Sequence, residues 1–346
     1  MTRRSFDTLP SLTKKEALNL LKKPIEEITL ESDYYKAAFH LAKYPGEESE
    51  KALIDFLVAE SEAKPFQLAR RKVIEVLAEI SRERCIPIIV KFLESEDPYI
   101  VESTVIALNN LKYKDKGYIQ TVINLLDKPY QNKRLLIQTI GRFGSAKNIE
   151  SIKPFLLSIE DSPFIRSAAI SAIIRLGGSS IYSDELKLNL SHSNQMQRQM
   201  AVEDIINSRQ ASLLPFVLRC PVAPFFRIRA IEELWQFKNQ REKDSEIISA
   251  IDSLLLDRIE KLDLTCQYES NSSIESLIDE LFSTDFNRCY AALKLIKVHD
   301  NRQVWSKIIA CLDQFKKDYG AIYFLLLFLF NSTYNLGYSE KEKIIE

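Results

Sequence analysis

The stretch Ser162–Gly178, "SPFIRSAAISAIIRLGG", decides the fold. Ser162 before Pro163 has the form of a helix start. A side-chain acceptor caps the first turn, and a proline fills a position whose N–H would go unused. Apolar residues then return at three- and four-residue spacing, at Ile165, Ala168, Ala169, Ala172, Ile173 and Leu176. That spacing draws one wide apolar stripe along a helix. The alanines permit close approach of a neighbour. Gly177 and Gly178 read as a C-terminal stop.

The same figure recurs. An aromatic stands just before a helical pattern in "SDYYKAAFHLAKY", "KPFQLARRKVIEVLAEI", "DPYIVESTVIALNNL", "KPYQNKRLLIQTIGRF", "APFFRIRAIEELWQF" and "TDFNRCYAALKLI". The anchors Tyr34, Phe66, Tyr99, Tyr130, Phe164, Phe225 and Phe286 are separated by 32, 33, 31, 34, 61 and 61 residues. The two long steps each hold a degenerate copy, one at "SNQMQRQMAVEDII" and one near Asp252. Between anchors lie partner helices such as "SEKALIDFLVAE", "CIPIIVKFLES", "GYIQTVINLLD", "IESIKPFLLSI", "ASLLPFVLRC" and "IESLIDELFS". Pro154 and Pro215 fall inside two of them and should end or kink the helix there.

A period of about 30 residues with two helices per unit is the pattern of a helical solenoid. One pair cannot bury its stripe, but stacked neighbours can. The predicted fold is therefore all-α, a HEAT-like helical-repeat solenoid forming an α-α superhelix. Residues 1–30 do not fit the period and read as an N-terminal cap or extension. Residues 31–346 read as a single domain of roughly nine to ten helix pairs.

The totals agree with this reading. The chain has 8 glycines in 346 residues, too few for the many tight turns of an all-β protein. Its net charge of -1 gives no nucleic-acid footprint. The 5 cysteines are odd in number and form no CxxC, which argues against a disulfide framework and for a reducing, cytoplasmic setting. "MTRRSFDTLPSL" lacks the apolar core of a signal peptide. "AIYFLLLFLF", Ala321–Phe330, is about half a bilayer span and reads as a buried helix of a terminal repeat.

No phosphate loop, GxSxG or HExxH occurs. His40, His192 and His299 stand far apart, and no clustered ligands suggest a metal site. The cysteines read as buried structural thiols. Two segments carry more than packing needs. In "APFFRIRAIEELW", Arg227 shares a repeat column with Arg166, Arg288 and Lys36, where an arginine serves an inter-repeat ladder. Arg229, Glu232 and Glu233 lie within one turn, as an internal salt bridge or as the wall of a polar pocket. Trp235 is either core or an apolar plate beside that wall. In "TDFNRCYAALKLI", Asp285 either caps the helix or accepts hydrogen bonds from a ligand. Tyr290 either packs on the next repeat or stacks on a flat ring.

The repeats resemble the short HEAT-like class, with "SPFIRSAAISAI", "DPYIVESTVIAL" and "DFNRCYAALKL" in place of its D-P-x-V-R-x-A-A-x-x-A-L pattern. The "RIRAIEELW" and "DFNRCYAALKLI" segments resemble the E/F-type phycobilin lyases of cyanobacteria, the second in particular their phycoerythrobilin-attaching branch. That resemblance implies a lyase forming a carbon–sulfur bond. A linear tetrapyrrole, phycoerythrobilin, is its substrate, and there is no prosthetic group. The acceptor is a cysteine of an apo-phycobiliprotein subunit, phycoerythrin, in the cyanobacterial cytosol. Some members also isomerise the bilin to phycourobilin, and some act with a second HEAT-like subunit. The implied roles are propionate pairing for Arg227, Arg229 and Arg288, and hydrogen bonding or proton transfer for Asp285 or Glu233. Trp235 and Tyr290 would stack on the rings, and Cys289 would lie near the bilin. The concave face of the solenoid would supply the cleft. The competing reading is a non-catalytic HEAT-repeat scaffold or chaperone.

Overall fold

The computed structural model describes residues 11–61, 63–157, 162–237, 245–334 and 336–345. The first ten residues of the predicted cap lie outside the described residues, as do Ser158 and Ile159 at the end of "IESIKPFLLSI". Every regular element among the described residues is helical. The chain divides into two compact units, 1–152 and 153–346, a boundary that the repeat pattern does not mark.

The first unit contains α1 (Lys14–Lys22), α2 (Asp33–Leu41), α3 (Glu47–Val58), α4 (Lys64–Ile80), α5 (Ile86–Ile89), α6 (Pro98–Asn110), α7 (Lys116–Leu125), α8 (Lys133–Phe143) and α9 (Ile149–Ile152). The second contains α10 (Pro154–Leu157), α11 (Pro163–Arg175), α12 (Ser183–Asn189), α13 (Gln195–Ser208), α14 (Leu214–Arg219), α15 (Pro224–Leu234), α16 (Ser245–Leu255), α17 (Ile274–Glu280), α18 (Phe286–Val298), α19 (Arg302–Ala310), α20 (Leu312–Phe315), α21 (Tyr319–Asn331) and α22 (Tyr338–Ile345).

The aromatic anchors do different work in different repeats. Tyr34 is buried and meets Phe56 and Phe66 edge-on at 5.2 and 5.3 Å, while Phe56 and Phe66 stack at 4.2 Å. Tyr99 is exposed and carries the Arg71 guanidinium 4.3 Å above its ring. Tyr130 is exposed, has φ +62° and lies outside the helix, which starts after the Asn132 cap.

The caps follow the sequence closely. Asp97 accepts from the Tyr99 N–H at 2.8 Å and Ser162 from the Phe164 N–H at 3.3 Å. Gly177 closes α11 with φ +87°, a conformation that side chains resist. Pro154 and Pro215 break their helices as expected. Pro154 opens α10 just after α9 ends at Ile152, and Pro215 sits in the first turn of α14 after a 3₁₀ turn over Ala211–Leu213. Both stand where a helix begins, so neither removes an interior hydrogen bond.

α11 departs from the one-stripe expectation. Every residue from Ser167 to Ile173 is buried, while Ile165 and Leu176 are only partly covered. The cause is position: α10, α12 and α13 all pack against it. Ser167 and Ser171 avoid burying free hydroxyls by donating to the Asp204 carboxylate and carbonyl, each at 2.6 Å. In α21, Ala321, Phe324, Leu325, Leu327 and Phe328 are buried, as a terminal-repeat helix should be, and Trp305 stacks on Phe328 at 4.8 Å. No helix among the described residues is long and apolar enough to cross a membrane.

His40 in α2 gives the first unit a pH test. The residue is 3% exposed, and neither ring nitrogen has a hydrogen-bond partner. Burial, and then the charges of Lys43 and Lys36, hold its pKa below the ordinary 6.5. The folded ring therefore binds its proton more weakly than the unfolded one. Stability is intact above the unfolded pKa and falls as pH drops toward the folded value. The unfolding midpoint should fall more steeply below about pH 6.5 in the wild type than in His40→Leu. Equal slopes would mean that the folded ring takes up its proton normally.

Candidate functional site

All eight residues expected at the site fall in the second unit. The structure brings two of them together in its interior. Arg227, on α15, is 2% exposed, and its Nη2 donates to Asp257 Oδ1 at 2.7 Å and to the Tyr290 hydroxyl at 2.8 Å. The Tyr290 O–H, from α18, donates in turn to Asp257 Oδ2 at 2.6 Å. Tyr323, from α21, donates to the same oxygen. Burial pushes the pKa of the Tyr290 hydroxyl well up, so it stays a donor. Its ring meets Phe324 and Phe286 edge-on at 5.2 and 5.9 Å. Arg227 and Tyr290 are thus engaged with protein groups, and a ligand could reach the Tyr290 hydroxyl only by opening this core.

Asp257 is the residue that sequence reasoning missed. It follows α16 with φ +39°, in the left-handed region. Its N–H bonds the Leu254 carbonyl at 3.0 Å, and the Arg258 N–H bonds the Ser253 carbonyl at 3.1 Å. This is a Schellman turn, a place usually held by glycine or asparagine. An aspartate is kept here because the turn aims its carboxylate at Arg227 and two tyrosines. Its only sequence signal is an acidic residue after an apolar run in a degenerate repeat.

Asp285 caps α18, accepting from the Asn287 N–H at 2.9 Å. The same carboxylate pairs with Arg198, a fully buried guanidinium on α13 that also bonds the carbonyls of His192 and Ser193 at 2.8 and 2.9 Å. Asp285 therefore joins the starts of two helices. Cys289 is buried, with its Sγ 3.3 Å from the Ser283 carbonyl and 3.4 Å from that of Glu280. Burial pushes its thiol up to about 12, away from nucleophilic thiolate.

The remaining expected residues are more open. Arg288 is half-exposed and donates to Glu280 on α17 at 2.5 Å. Arg229 pairs with Glu203 on α13, not with Glu232 or Glu233 one turn away. Both of those glutamates are exposed. Trp235 is half-buried against the core formed with Ile206 and Leu234. The expected ladder is also uneven. Arg166 forms a two-pronged pair with Glu185, both bonds at 2.8 Å. Arg166 and Arg227 find their carboxylates on the following helix or just beyond it, whereas Arg288 finds its own on the preceding one.

Two cavities lie in the same unit. One, of about 550 Å³, is walled by Leu264, Cys266, Tyr268, Lys294, Leu295 and their neighbours. It falls in the roughly 300–1,000 Å³ range of sites for small organic ligands. Arg288 and Glu280 act electrostatically on the Tyr268 hydroxyl in its wall. The other, of about 240 Å³, has Arg219, Arg227, Arg258 and Lys261 in its lining. The two share Leu262.

Comparison with known proteins extends this picture. The family described as HEAT repeats matches residues 54–132. "Bilin biosynthesis protein CpeY" of Synechococcus sp. (strain WH8020) is 33% identical, over 91% of this chain and 75% of its own length. "Uncharacterized phycocyanin operon protein Y" of Pseudanabaena tenuis (strain PCC 7409) is 30% identical, over 91% of this chain and 76% of its own. Among solved structures, the complex of CpcE and CpcF of phycocyanin lyase from Nostoc sp. PCC7120 matches with a TM-score of 0.58 and 23% identity. That match covers 73% of this chain and 99% of the matched one, and it supports the fold.

The buried group supplies a direct stability test. Asp257→Asn keeps the turn but leaves Arg227 uncompensated, at a cost of about 3–5 kcal/mol. Thermal unfolding should fall by on the order of 10 °C. Tyr290→Phe should cost less, since it removes a hydroxyl and leaves the charges paired. An Asp257→Asn protein as stable as wild type would show that the carboxylate is not what neutralises the guanidinium.

Proposed function

The chain belongs to the E/F-type phycobilin lyase family, and we propose that it binds a linear tetrapyrrole and attaches it to a cysteine of a phycobiliprotein subunit. The observation that carries this reading is a likeness running along nearly the whole chain, well beyond the repeats any HEAT protein shares. The bilin is phycoerythrobilin and the acceptor phycoerythrin on the strength of the "DFNRCYAALKLI" segment. Whether attachment shifts a double bond to give phycourobilin is read from the product's absorption. By analogy with the two-chain Nostoc complex, a second HEAT-like subunit is the partner to test first.

The chemistry sets what the protein has to supply. A thiol of the acceptor adds to the electrophilic ethylidene of ring A. A C–S bond forms, the thiol proton passes to the bilin, and nothing leaves. The lyase holds the bilin in one conformation and presents ring A, so positioning and preorganised charge are its tools. We place the tetrapyrrole in the 550 Å³ cavity, whose Leu264, Leu295 and Val298 suit the rings and whose Tyr268 offers an aromatic face, while Asp263, Gln267 and Lys294 make the rest of its wall polar. Arg288 lies beside Tyr268 and is the arginine of the expected set best placed to meet a propionate there. Arg229, Glu233 and Trp235 are accessible for a bilin or an acceptor to touch. Arg227, Tyr290, Asp285 and Cys289 serve instead in the contacts that join the helices of this unit.

Co-expression with a bilin-synthesising pathway and apo-phycobiliprotein subunits tests the reading. The expected product is a covalent, zinc-fluorescent subunit. Arg288→Ala should weaken bilin binding about ten-fold, the loss of one charge-assisted bond, with helicity unchanged. A chain that stays colourless and pigments no subunit would leave only the scaffold reading.

A further inference from the structure

The smaller cavity beside the proposed bilin site has a composition that packing does not explain. Arg219, Arg227, Arg258 and Lys261 line it, and no carboxylate among the described residues does. Arg227 is neutralised from within by Asp257, yet its Nε is buried without a partner. Arg219 is held by Asp263, through Nε at 3.0 Å and a backbone bond from the Asp263 N–H at 2.8 Å. Arg258 and Lys261 have no ion pair among the described residues. Four cations converge, and two carboxylates answer them. The remaining pair is what an anion would meet.

The cavity's size and place restrict which anion. About 240 Å³ is too small for a linear tetrapyrrole and roomy enough for one acidic arm of it. The cavity shares Leu262 with the larger one, and the Arg219–Asp263 pair bridges their walls. The two cavities are therefore neighbours, close enough for a ligand in the larger to extend a side arm toward the smaller. The backbone also fixes the geometry. The Schellman turn that sends the Asp257 carboxylate inward sets Arg258, the next residue, on the exposed side.

We propose that this cavity is the propionate pocket of the bilin site, with Arg258 and Lys261 pairing with the carboxylate. The inference rests on the bilin-binding reading and adds to it a subsite and two residues. Guanidinium and ammonium groups at the edge of a low-dielectric cavity bind a carboxylate more strongly than they would in open water. The pocket gives the protein a handle on the tetrapyrrole's rotation about its long axis, because only one edge of the bilin carries propionates. Ring A is then presented in one orientation.

Binding of biliverdin and of its dimethyl ester to the full chain separates the possibilities, read by absorbance titration. The diacid should bind the wild type at least about ten-fold tighter than the Arg258→Gln/Lys261→Gln double variant, about 1.4 kcal/mol. The dimethyl ester should bind both proteins alike, and more weakly than the diacid binds the wild type. Circular dichroism of the double variant should match wild type, since both side chains are exposed. Unchanged diacid binding in the double variant overturns the pocket and leaves the lyase reading standing. So does a double variant that binds diacid normally yet transfers less pigment, because the cations would then serve the acceptor protein. If the wild type binds neither form, the pocket and the bilin-binding reading fall together.

Discussion

A guanidinium taken out of water must be met by a carboxylate, and in the second unit Asp257 is what meets Arg227. The attraction alone does not make such a pair profitable, because removing both charges from water costs several kcal/mol per ion. What tips the balance is completeness. Both carboxylate oxygens are used, one by Arg227 and the other by two tyrosine hydroxyls. Tyr290 accepts from the cation and donates to the anion, so its hydroxyl serves both at once. The four side chains come from α15, the turn after α16, α18 and α21. These helices are thereby tied by direction-sensitive bonds and not by apolar contact alone, which gives repeats of similar stripe a reason to stack in one register.

The same logic explains why so much of the expected chemistry turned inward. An arginine in a repeat column is cheap to keep if a neighbour offers a carboxylate, and Arg166, Arg227 and Arg288 each found one. Asp285 and Arg198 repeat the arrangement between α13 and α18. Unusual residues in a solenoid therefore mark two things that sequence cannot separate, a site or a weld between repeats. The separating quantity is exposure. Arg227 and Arg198 are welds because water is gone, whereas Arg258 and Lys261 keep open faces.

What the sequence made legible follows from range. Caps at Asp97 and Ser162, the stop at Gly177 and the breaks at Pro154 and Pro215 depend on neighbours within a few residues, and all stand as read. The apolar period also survived, since it needs only that each face be covered. The buried pairings were not legible, because they are long. Arg227 reaches across 30 residues to Asp257, and Tyr323 across 66. Asp257 sat in one of the two stretches where the repeat had decayed. Decay of a repeat pattern is itself a signal, since a position released from packing rules is free to take a side chain that the others cannot use.

One turn of backbone then links the interior to the proposed site. Asp257 and Arg258 are consecutive, and the Schellman geometry sends one inward and sets the other at the cavity. Neither direction can change without the other, because both follow from the single left-handed residue at φ +39°. The inner ion pair holds Asp257 in a conformation it would otherwise avoid, and so holds Arg258 in place as well. An exposed arginine on a free loop would lose entropy on meeting a carboxylate, by up to about 2 kcal/mol for a long side chain. Anchoring its backbone leaves only the side chain to be ordered. A rigid weld under a mobile cation is thus the arrangement that would let a helical stack, with no catalytic motif of its own, hold the proposed tetrapyrrole still.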